Sequence, residues 1–313
     1  MAPNRSSGRD VLLYDISKPD EVIGGLYLTP SFSKRTFLMA LDILLVSDCP
    51  YEVYLRGSDI PLRPITEPLQ QGKYDIKPID PNVQVFVTNE LCITRVLSHS
   101  TTGRNEAFRK QVRERDRKCV VTGLANTERN IADDDWSVYH AAHIVPLSAE
   151  EYFIANNFSR WITNRTAEND TRINSCQNGI LLQTTVHRQF DNFTISVNVD
   201  DNYRIVTFRD DLLNLGGRQL DPICRNPKNA LSVRDELLRW HFRQAVLANM
   251  RGAGEPIFEF DFPPGSDMVG EILSGPNAKE RMESELFLRL TDLALAKKLN
   301  DGAEINDNGA ENY

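Results

Sequence analysis

The chain has 313 residues, of which 41% are hydrophobic and 26% are charged. This is enough apolar material for one large domain or two ordinary ones, and it excludes a wholly disordered chain. No apolar run approaches the roughly 18 residues of a membrane span, and the N-terminus lacks the apolar stretch of a signal peptide. We therefore predict an intracellular protein, cytoplasmic or nuclear, with no membrane partner. The net charge of −8 means that any contacts with phosphate groups must be local.

Residues 10–97 have mainly the pattern of short strands. Tyr51–Leu55 and Gln84–Thr88 alternate as half-buried strands do, and prolines interrupt the segment between them. Ser33–Leu45 is apolar enough for a strand or a buried helix, and its periodicity does not decide between them. We predict a mainly β N-terminal region over residues 1–100.

A helix rich in basic residues is predicted next. Residues 98–103 have the composition of a linker, and residues 105–118 then place Phe108 and Val112 four apart, as on the inner face of a helix. Between Arg104 and Lys118 there are seven basic and three acidic residues. This helix could contact nucleic acid or be an ordinary solvated face.

The C-terminal part predicts a β-hairpin followed by helices. Phe193–Val199 and Tyr203–Phe208 alternate around a short polar turn. Ser232–Met250 has helical periodicity, with Ser232 as its expected N-cap, and Asn277–Leu299 is a second amphipathic segment. We predict a helical region over residues 211–299, through which a homo-oligomer could form, and a disordered acidic tail over residues 300–313.

Histidine, asparagine and aspartate cluster in the middle of the chain. A predicted strand, residues 137–143, ends with His143, and a second, residues 179–183, directly follows Asn178. Each of these residues also has a purely structural interpretation. A histidine is often only hydrogen-bonded, and Asn-Gly is often a turn because both residues tolerate positive φ.

The second predicted strand leads into a short helix, capped by Thr184 or Thr185, that carries His187 and Asp191. Residues four apart lie on one face of a helix, so this pair could form a surface salt bridge or share one divalent metal ion. The carboxylate oxygen favours Mg²⁺ or Mn²⁺, and the imidazole admits Zn²⁺ or Ni²⁺.

The order of these residues resembles the HNH endonuclease family, in the branch common in fungal proteins. Four blocks carry the resemblance: Cys119-Val120-Val121-Thr122-Gly123, Ala142-His143-Ile144-Val145-Pro146, Asn178-Gly179-Ile180-Leu181-Leu182 and His187-Arg188-Gln189-Phe190-Asp191. The resemblance implies a ββα-metal module, a two-stranded hairpin packed on a helix around one divalent ion. It also implies that His143 is the general base, that Asn178 braces the loop or reaches the metal, and that His187, joined by Asp191, binds the metal.

The chain departs from the family pattern in three places. Ala142 stands where many members have a metal ligand. His140 could replace that ligand, and because residues 140 and 143 point to opposite faces of a strand we expect a bulge there. Cys119 lacks the second cysteine of a CxxC pair, so we predict no structural zinc site. The long insert between His143 and Asn178, which contains Phe153, Phe158 and Trp161, predicts a helical flap beside the site.

Together these features predict an α+β fold with an HNH module over residues 101–210. The leading hypothesis is a metal-dependent endonuclease whose catalytic residues are His143, Asn178 and His187, with the metal at His187, Asp191 and Asn178. One alternative is an enzyme on the same scaffold that acts on a small molecule in a pocket at His143, because fold does not fix function. Another is a non-catalytic binding protein. A serine hydrolase is disfavoured, since the sequence has no Gly-x-Ser-x-Gly motif.

Overall fold

The computed structural model describes residues 9–90, 92–93, 106–164 and 171–252, together with residues 269, 270, 273 and 282. Contacts divide the chain into a larger unit, residues 1–95 with 100–254, and a smaller one, residues 96–99 with 255–313. In the smaller unit the four described residues are helical. Three predicted segments lie outside the described residues. They are the linker, the acidic tail and the second amphipathic helix, of which only residue 282 is described.

The N-terminal region is a four-stranded sheet with one helix against it. Its sheet has the order β2-β1-β5-β4, in which β1 and β5 are parallel and the other neighbours are antiparallel. Its elements are β1 Val11–Asp15, β2 Val22–Leu26, α1 Lys34–Leu44, β3 Leu45–Val46, β4 Tyr51–Leu55, β5 Gly72–Pro78 and β6 Phe86–Val87. The predicted strand at Tyr51–Leu55 is confirmed, and only two residues of the second predicted strand pair.

The open question at Ser33–Leu45 is decided in favour of a helix by a cap and an amphipathic stripe. The Ser33 side chain accepts a hydrogen bond from the backbone N–H of Thr36, which satisfies one of the unpaired donors at the start of α1. Phe37, Leu41 and Leu44 are fully buried on the inner face. The region is therefore mainly β with one buried helix.

The middle of the chain is a hairpin held between two helices. Its elements are α2 Glu106–Asp116, α3 Glu128–Ala132, β7 Tyr139–His143, α4 Glu150–Ala155, β8 Gly179–Gln183 and α5 Thr184–Asp191. Phe108 and Val112 of α2 are buried, as their spacing predicted. The described part of the insert after β7 contains α4 and short helical turns, as expected, and buries Phe153 and Phe158. Hairpin and helices share one apolar cluster.

The C-terminal elements complete the larger unit. They are β9 Ile195–Asn198, β10 Arg204–Thr207 and α6 Asp235–Met250, and β9 and β10 form the predicted antiparallel hairpin. The α6 helix packs against β9, α1 and β2. Mixed helices and small sheets confirm an α+β fold. Among the described residues, no helix has the length and apolar character needed to cross a membrane.

Two predicted helix caps are wrong. The N-cap of α6 is Arg234, and the Ser232 hydroxyl instead donates to the Asn226 carbonyl at 2.6 Å. The N-cap of α5 is Gln183, so Thr184 and Thr185 form its first turn. In both places the hydrophobic pattern located the helix but not its first residue, which depends on where the preceding loop is anchored.

Candidate active site

The β7–β8 hairpin decides which side chains share a face. Its antiparallel register is unbroken from Tyr139, opposite Gln183, to His143, opposite Gly179. Because side chains alternate along a strand, His140 and Ala142 share one face and His143 points to the other. The expected bulge is therefore wrong. His140 shares the face of position 142, the position at which many HNH proteins have a ligand, without any break in register.

A chain of polar contacts runs through the ring of His187. Its Nδ1 lies 3.0 Å from Nδ1 of His140, and the two rings are nearly perpendicular at 89°. Its Nε2 lies 3.1 Å from Oδ2 of Asp191, one helical turn further along α5. The side chains of His187 and Asp191 are 17% and 15% exposed. The structure thus brings the predicted pair together and adds His140 to it.

His143 lies in different surroundings, on the side of α2. Its ring stacks on Phe108, with centroids 3.9 Å apart and planes inclined by 8°. Its Nε2 lies 3.2 Å from Oδ1 of Asn174. An amide oxygen only accepts hydrogen bonds, so with the amide assigned this way Nε2 carries the ring proton. Nδ1 is then the nitrogen with a lone pair that can take a proton from water.

Asn178 is completely buried and holds the loop that follows His143. Its Oδ1 accepts from the backbone N–H of Val145 at 2.9 Å. Its Nδ2 donates to the carbonyls of Val145 at 3.0 Å and Ile173 at 2.9 Å. Of the two roles predicted for Asn178, these contacts favour bracing the loop. To serve as a metal ligand, the amide oxygen would have to leave Val145.

The sequence comparisons agree with this arrangement. A family model described as HNH endonuclease matches residues 119–198. This segment is an HNH domain. The match spans about a quarter of the chain and includes His143, Asn178, His187 and Asp191. A second model, described as a domain of unknown function (DUF8573), matches residues 8–82. No curated protein and no solved structure matches the chain.

The HNH match confirms the resemblance seen in the sequence and supports a nuclease-like, metal-dependent function in general. The fungal branch, the intracellular location and the formation of homo-oligomers stay predictions. The four-part division of the chain also stays a prediction, although the two matched segments lie within its first two parts.

The most basic helix of the HNH region is less available for nucleic acid than its sequence predicts. Arg115 is buried, forms an ion pair with its neighbour Asp116 and donates to the carbonyls of Cys176, Gly179 and Leu231. Burial alone would lower the pKa of Arg115, but the hydrogen bonds and the negative charge of Asp116 raise it by more. The net pKa is raised, so Arg115 stays charged. The prediction is wrong for Arg115, which holds α2 to β8 instead of facing solvent.

Four other basic residues around α2 also have acidic neighbours. The pairs are Arg109 with Glu106, Lys110 with Glu114, Arg113 with Asp134 and Lys118 with Asp221. Arg104 lies outside the described residues. Exposed pairs such as Lys110 with Glu114 contribute about 0–1 kcal/mol, so a phosphate could displace the carboxylate there. Binding of nucleic acid at this helix stays a prediction.

The sequence did not predict two contacts of His143. One is with Asn174, and the other is with the ring of Phe108. Asn174 lies near the end of a long insert and carries no motif that would single it out. Phe108 had a signal of its own, since its helical spacing predicted burial, but nothing in the sequence connects it to β7. Both act on His143 through contacts between segments that are distant along the chain.

Proposed function

We propose that the HNH domain hydrolyses phosphodiester bonds of a nucleic acid with one divalent metal ion. The observation that carries this proposal is the ring of His187, which contacts His140 through one nitrogen and Asp191 through the other. This is the arrangement of a metal-binding histidine whose second nitrogen is held by a carboxylate.

The two histidines fit a metal ion. Nδ1 of His140 and Nδ1 of His187 are 3.0 Å apart, close enough for the two imidazoles to hold one divalent ion between them. We therefore assign the metal to His140 and His187, with Asp191 orienting His187. In the described part of the chain, no group of three or more His, Cys, Asp or Glu side chains forms a metal site. Water and phosphate oxygens would complete the coordination.

This assignment changes the expected metal. Prediction from the sequence counted the carboxylate of Asp191 as a ligand and favoured Mg²⁺ or Mn²⁺. A pair of imidazoles shifts the preference towards Zn²⁺ or Ni²⁺. When bound, the ion would stabilise negative charge on the phosphate and on the departing oxygen.

We assign the general base to His143. Phe108 fixes the plane of its ring, and with Nε2 donating to Asn174 it is Nδ1 that would accept the proton of the attacking water. His140 and His143 lie on opposite faces of β7 and are three residues apart, about 10 Å along the strand. The proposal therefore requires both side chains to serve one phosphate, with the metal at His140 on its oxygens and the attacking water at His143.

The small-molecule alternative predicts an apolar pocket at His143. An apolar cavity of about 540 Å³ does exist, but its wall contains none of the site histidines. This cavity therefore does not support the small-molecule enzyme. A non-catalytic binding protein is the remaining alternative, and metal binding separates it from the nuclease.

The test combines metal titration with cleavage of plasmid DNA and of RNA. For His143→Ala we expect cleavage to fall at least about a hundredfold while the affinity for Mn²⁺ or Zn²⁺ stays the same. For His140→Ala and His187→Ala we expect metal affinity itself to fall at least about tenfold, and for Asp191→Ala by about 10–100-fold. Asn156→Ala, at an exposed position of the insert, is the control.

Each outcome bears on a separate part of the proposal. Full activity of His143→Ala would remove His143 from its assigned role. Unchanged metal affinity of His140→Ala would restore the ligand set predicted from the sequence. A native chain that binds no divalent ion would leave the non-catalytic alternative.

A further inference from the structure

A fully buried histidine of α6 contacts the helix that carries the metal site. This residue is His241, which lies beyond the HNH match, since the match ends at residue 198. Its ring stacks on Phe190, with centroids 3.6 Å apart and planes inclined by 4°. Phe190 directly precedes Asp191 in the last turn of α5. The contact therefore joins a helix outside the matched segment to the helix of His187 and Asp191.

Two hydrogen bonds fix the ring of His241 and its tautomer. Its Nε2 lies 3.1 Å from the carbonyl oxygen of Phe190, and its Nδ1 lies 2.7 Å from Oγ of Ser196 on β9. Because a carbonyl oxygen only accepts hydrogen bonds, Nε2 carries the ring proton and Nδ1 accepts from the serine hydroxyl. Stacking and hydrogen bonding thus act on the same residue of α5.

The end of α5 is held by α6 at a second point. The α5 helix has only eight residues, and helices of this length depend on packing for their stability. The chain leaves α5 through Phe193, whose φ of 57° lies in the left-handed region that bulky residues rarely adopt. Nδ2 of Asn249, also on α6, donates to the carbonyl of Phe193 at 2.9 Å. The α6 helix therefore supports both the last turn of α5 and the residue that ends it.

The position of this last turn sets the position of Asp191. Oδ2 of Asp191 lies 3.1 Å from Nε2 of His187, one turn earlier on α5. On its other side the ring of His187 meets His140 of β7. A shift of the last turn alone would move Asp191 relative to the His187 ring, and hydrogen bonds weaken steeply when their angle is poor.

We propose that His241 is a positioning residue for His187, on which it acts through Phe190 and Asp191. This inference rests on the proposed function, in which His187 binds the metal ion and Asp191 orients its ring. His241 is buried between α5 and β9, so its effect is on the geometry of the ligand and not on the metal ion or the substrate directly. The metal site would then include a residue of α6, beyond the segment that the family model matches.

The test measures the affinity of full-length variants for Zn²⁺ and Mn²⁺. His241→Phe keeps the stacked ring but loses both hydrogen bonds, and we expect affinity to fall at least about threefold, less than the 10–100-fold effect of a direct partner of a ligand. His241→Gln keeps a donor that can reach the carbonyl of Phe190 and should restore most of the affinity.

The matched control is Gln244→Met. Gln244 is also fully buried on α6, but its Oε1 accepts from the backbone N–H of Ile93 at 2.8 Å. Loss of this buried contact should lower stability, as His241→Phe does, without changing metal affinity. An equal loss of metal affinity in Gln244→Met and His241→Phe would overturn the proposal, and so would unchanged affinity in His241→Phe.

A double variant separates positioning from general stability. Asp191→Ala removes the side chain through which His241 acts, so the addition of His241→Phe should lower metal affinity no further. If His241→Phe costs as much affinity in the Asp191→Ala background as it does alone, His241 does not act through Asp191 and the proposal is wrong.

Nuclear magnetic resonance of the metal-free chain separates this inference from the proposed function. At a pH where His187 is neutral, Asp191 holds the proton on Nε2, so the two ring nitrogens should have well-separated ¹⁵N shifts. His241→Phe should bring these shifts closer together. If the native chain binds no divalent ion, the proposed function fails, and the ring shifts still decide the inference. Ring shifts of His187 that are the same in the native chain and in His241→Phe would overturn it.

Discussion

Asn178 binds both backbone polar groups of Val145, accepting from its N–H at 2.9 Å and donating to its carbonyl at 3.0 Å. Asn178 lies beside the first residue of β8, and Val145 follows the last residue of β7 by two positions. A side-chain amide thus continues the hairpin ladder beyond its last backbone pair. The end of β7, where His143 lies, is fixed from across the hairpin.

The first prediction concerns this amide. Asn178→Ala leaves three buried backbone groups of Val145 and Ile173 without partners. Unpaired buried groups cost about 1–3 kcal/mol each, and water can reach some of them. We expect a loss of roughly 2–5 kcal/mol in unfolding free energy, measured in urea. Metal affinity should stay the same at temperatures where the variant is folded, and a tenfold loss of affinity would instead make Asn178 a ligand.

The second prediction concerns Gly179. Its φ is −144°, an extended conformation that any residue adopts. The positive φ of an Asn-Gly turn therefore does not explain why this residue is a glycine. A Cβ at this position would lie 2.5 Å from Cε2 and Cζ of Phe108. Gly179→Ala should therefore push Phe108 off the ring of His143, destabilise the protein by about 1–3 kcal/mol and reduce cleavage.

A double variant isolates this contact. Combined with Phe108→Leu, which removes the two clashing ring atoms, Gly179→Ala should cost less stability than it does alone. If the double variant loses as much stability as the two single variants together, Gly179 and Phe108 act independently.

The sequence predicted the site well where periodicity and motif order agree. The β7 and β8 strands and the α5 helix lie where alternation and the His-x-x-x-Asp spacing placed them, and His187 and Asp191 are in contact. The alternation of side chains along a strand also places His140 on the same face as residue 142. The expectation of a bulge followed from comparing residue 140 with His143, which lies on the other face.

What the sequence could not predict depends on three-dimensional burial. Counting charges on α2 gives no sign that Arg115 points inward while Lys110 points out. Likewise, Ser232 has the right residue type for a cap but hydrogen-bonds Asn226 instead. In both examples, the partner is set by how the surrounding chain packs, which residue type and spacing do not encode.

The third prediction concerns the buried ion pair. Arg115→Met leaves Asp116 as an uncompensated buried carboxylate and removes three contacts with backbone carbonyls. Breaking one partner of a buried pair costs about 3–5 kcal/mol, and we expect a loss of that size in denaturant unfolding. Lys110→Met, which breaks the exposed pair with Glu114, should change stability by less than about 1 kcal/mol. Equal effects would contradict the structural role of Arg115.

The fourth prediction concerns the thiols. Burial raises the pKa of Cys176 and of Cys224, so both stay protonated and unreactive at pH 8, since the thiolate is the nucleophile. Cys119 is also buried, whereas Cys49 and Cys92 are half-exposed. Titration of the native chain with 5,5′-dithiobis(2-nitrobenzoic acid) should modify Cys49 and Cys92 quickly and the other three only after unfolding. Fast modification of Cys176 would contradict the burial.

The last prediction tests the orientation of His143. Asn174→Asp places a carboxylate beside Nε2, which stabilises the protonated imidazole, so His143 should keep its second proton to higher pH. The base acts only in its neutral form. The rise of kcat/KM with pH should therefore shift upward by about one pH unit. Asn174→Ala removes the anchor without adding charge, so it should lower the maximal rate and leave the position of the rise nearly unchanged.

Nuclear magnetic resonance supplies a readout of this effect that does not depend on activity. The carbon-bound ring proton of His143 should titrate at higher pH in Asn174→Asp than in the native chain, and Asn156→Asp, in the same insert but exposed, should leave it unchanged. If the ring titration moves while the pH–rate profile does not, His143 contacts Asn174 as the structure has it but is not the base. If neither moves, the contact between Nε2 of His143 and Oδ1 of Asn174 does not exist in solution, and the assignment of Nδ1 as the proton acceptor is lost with it.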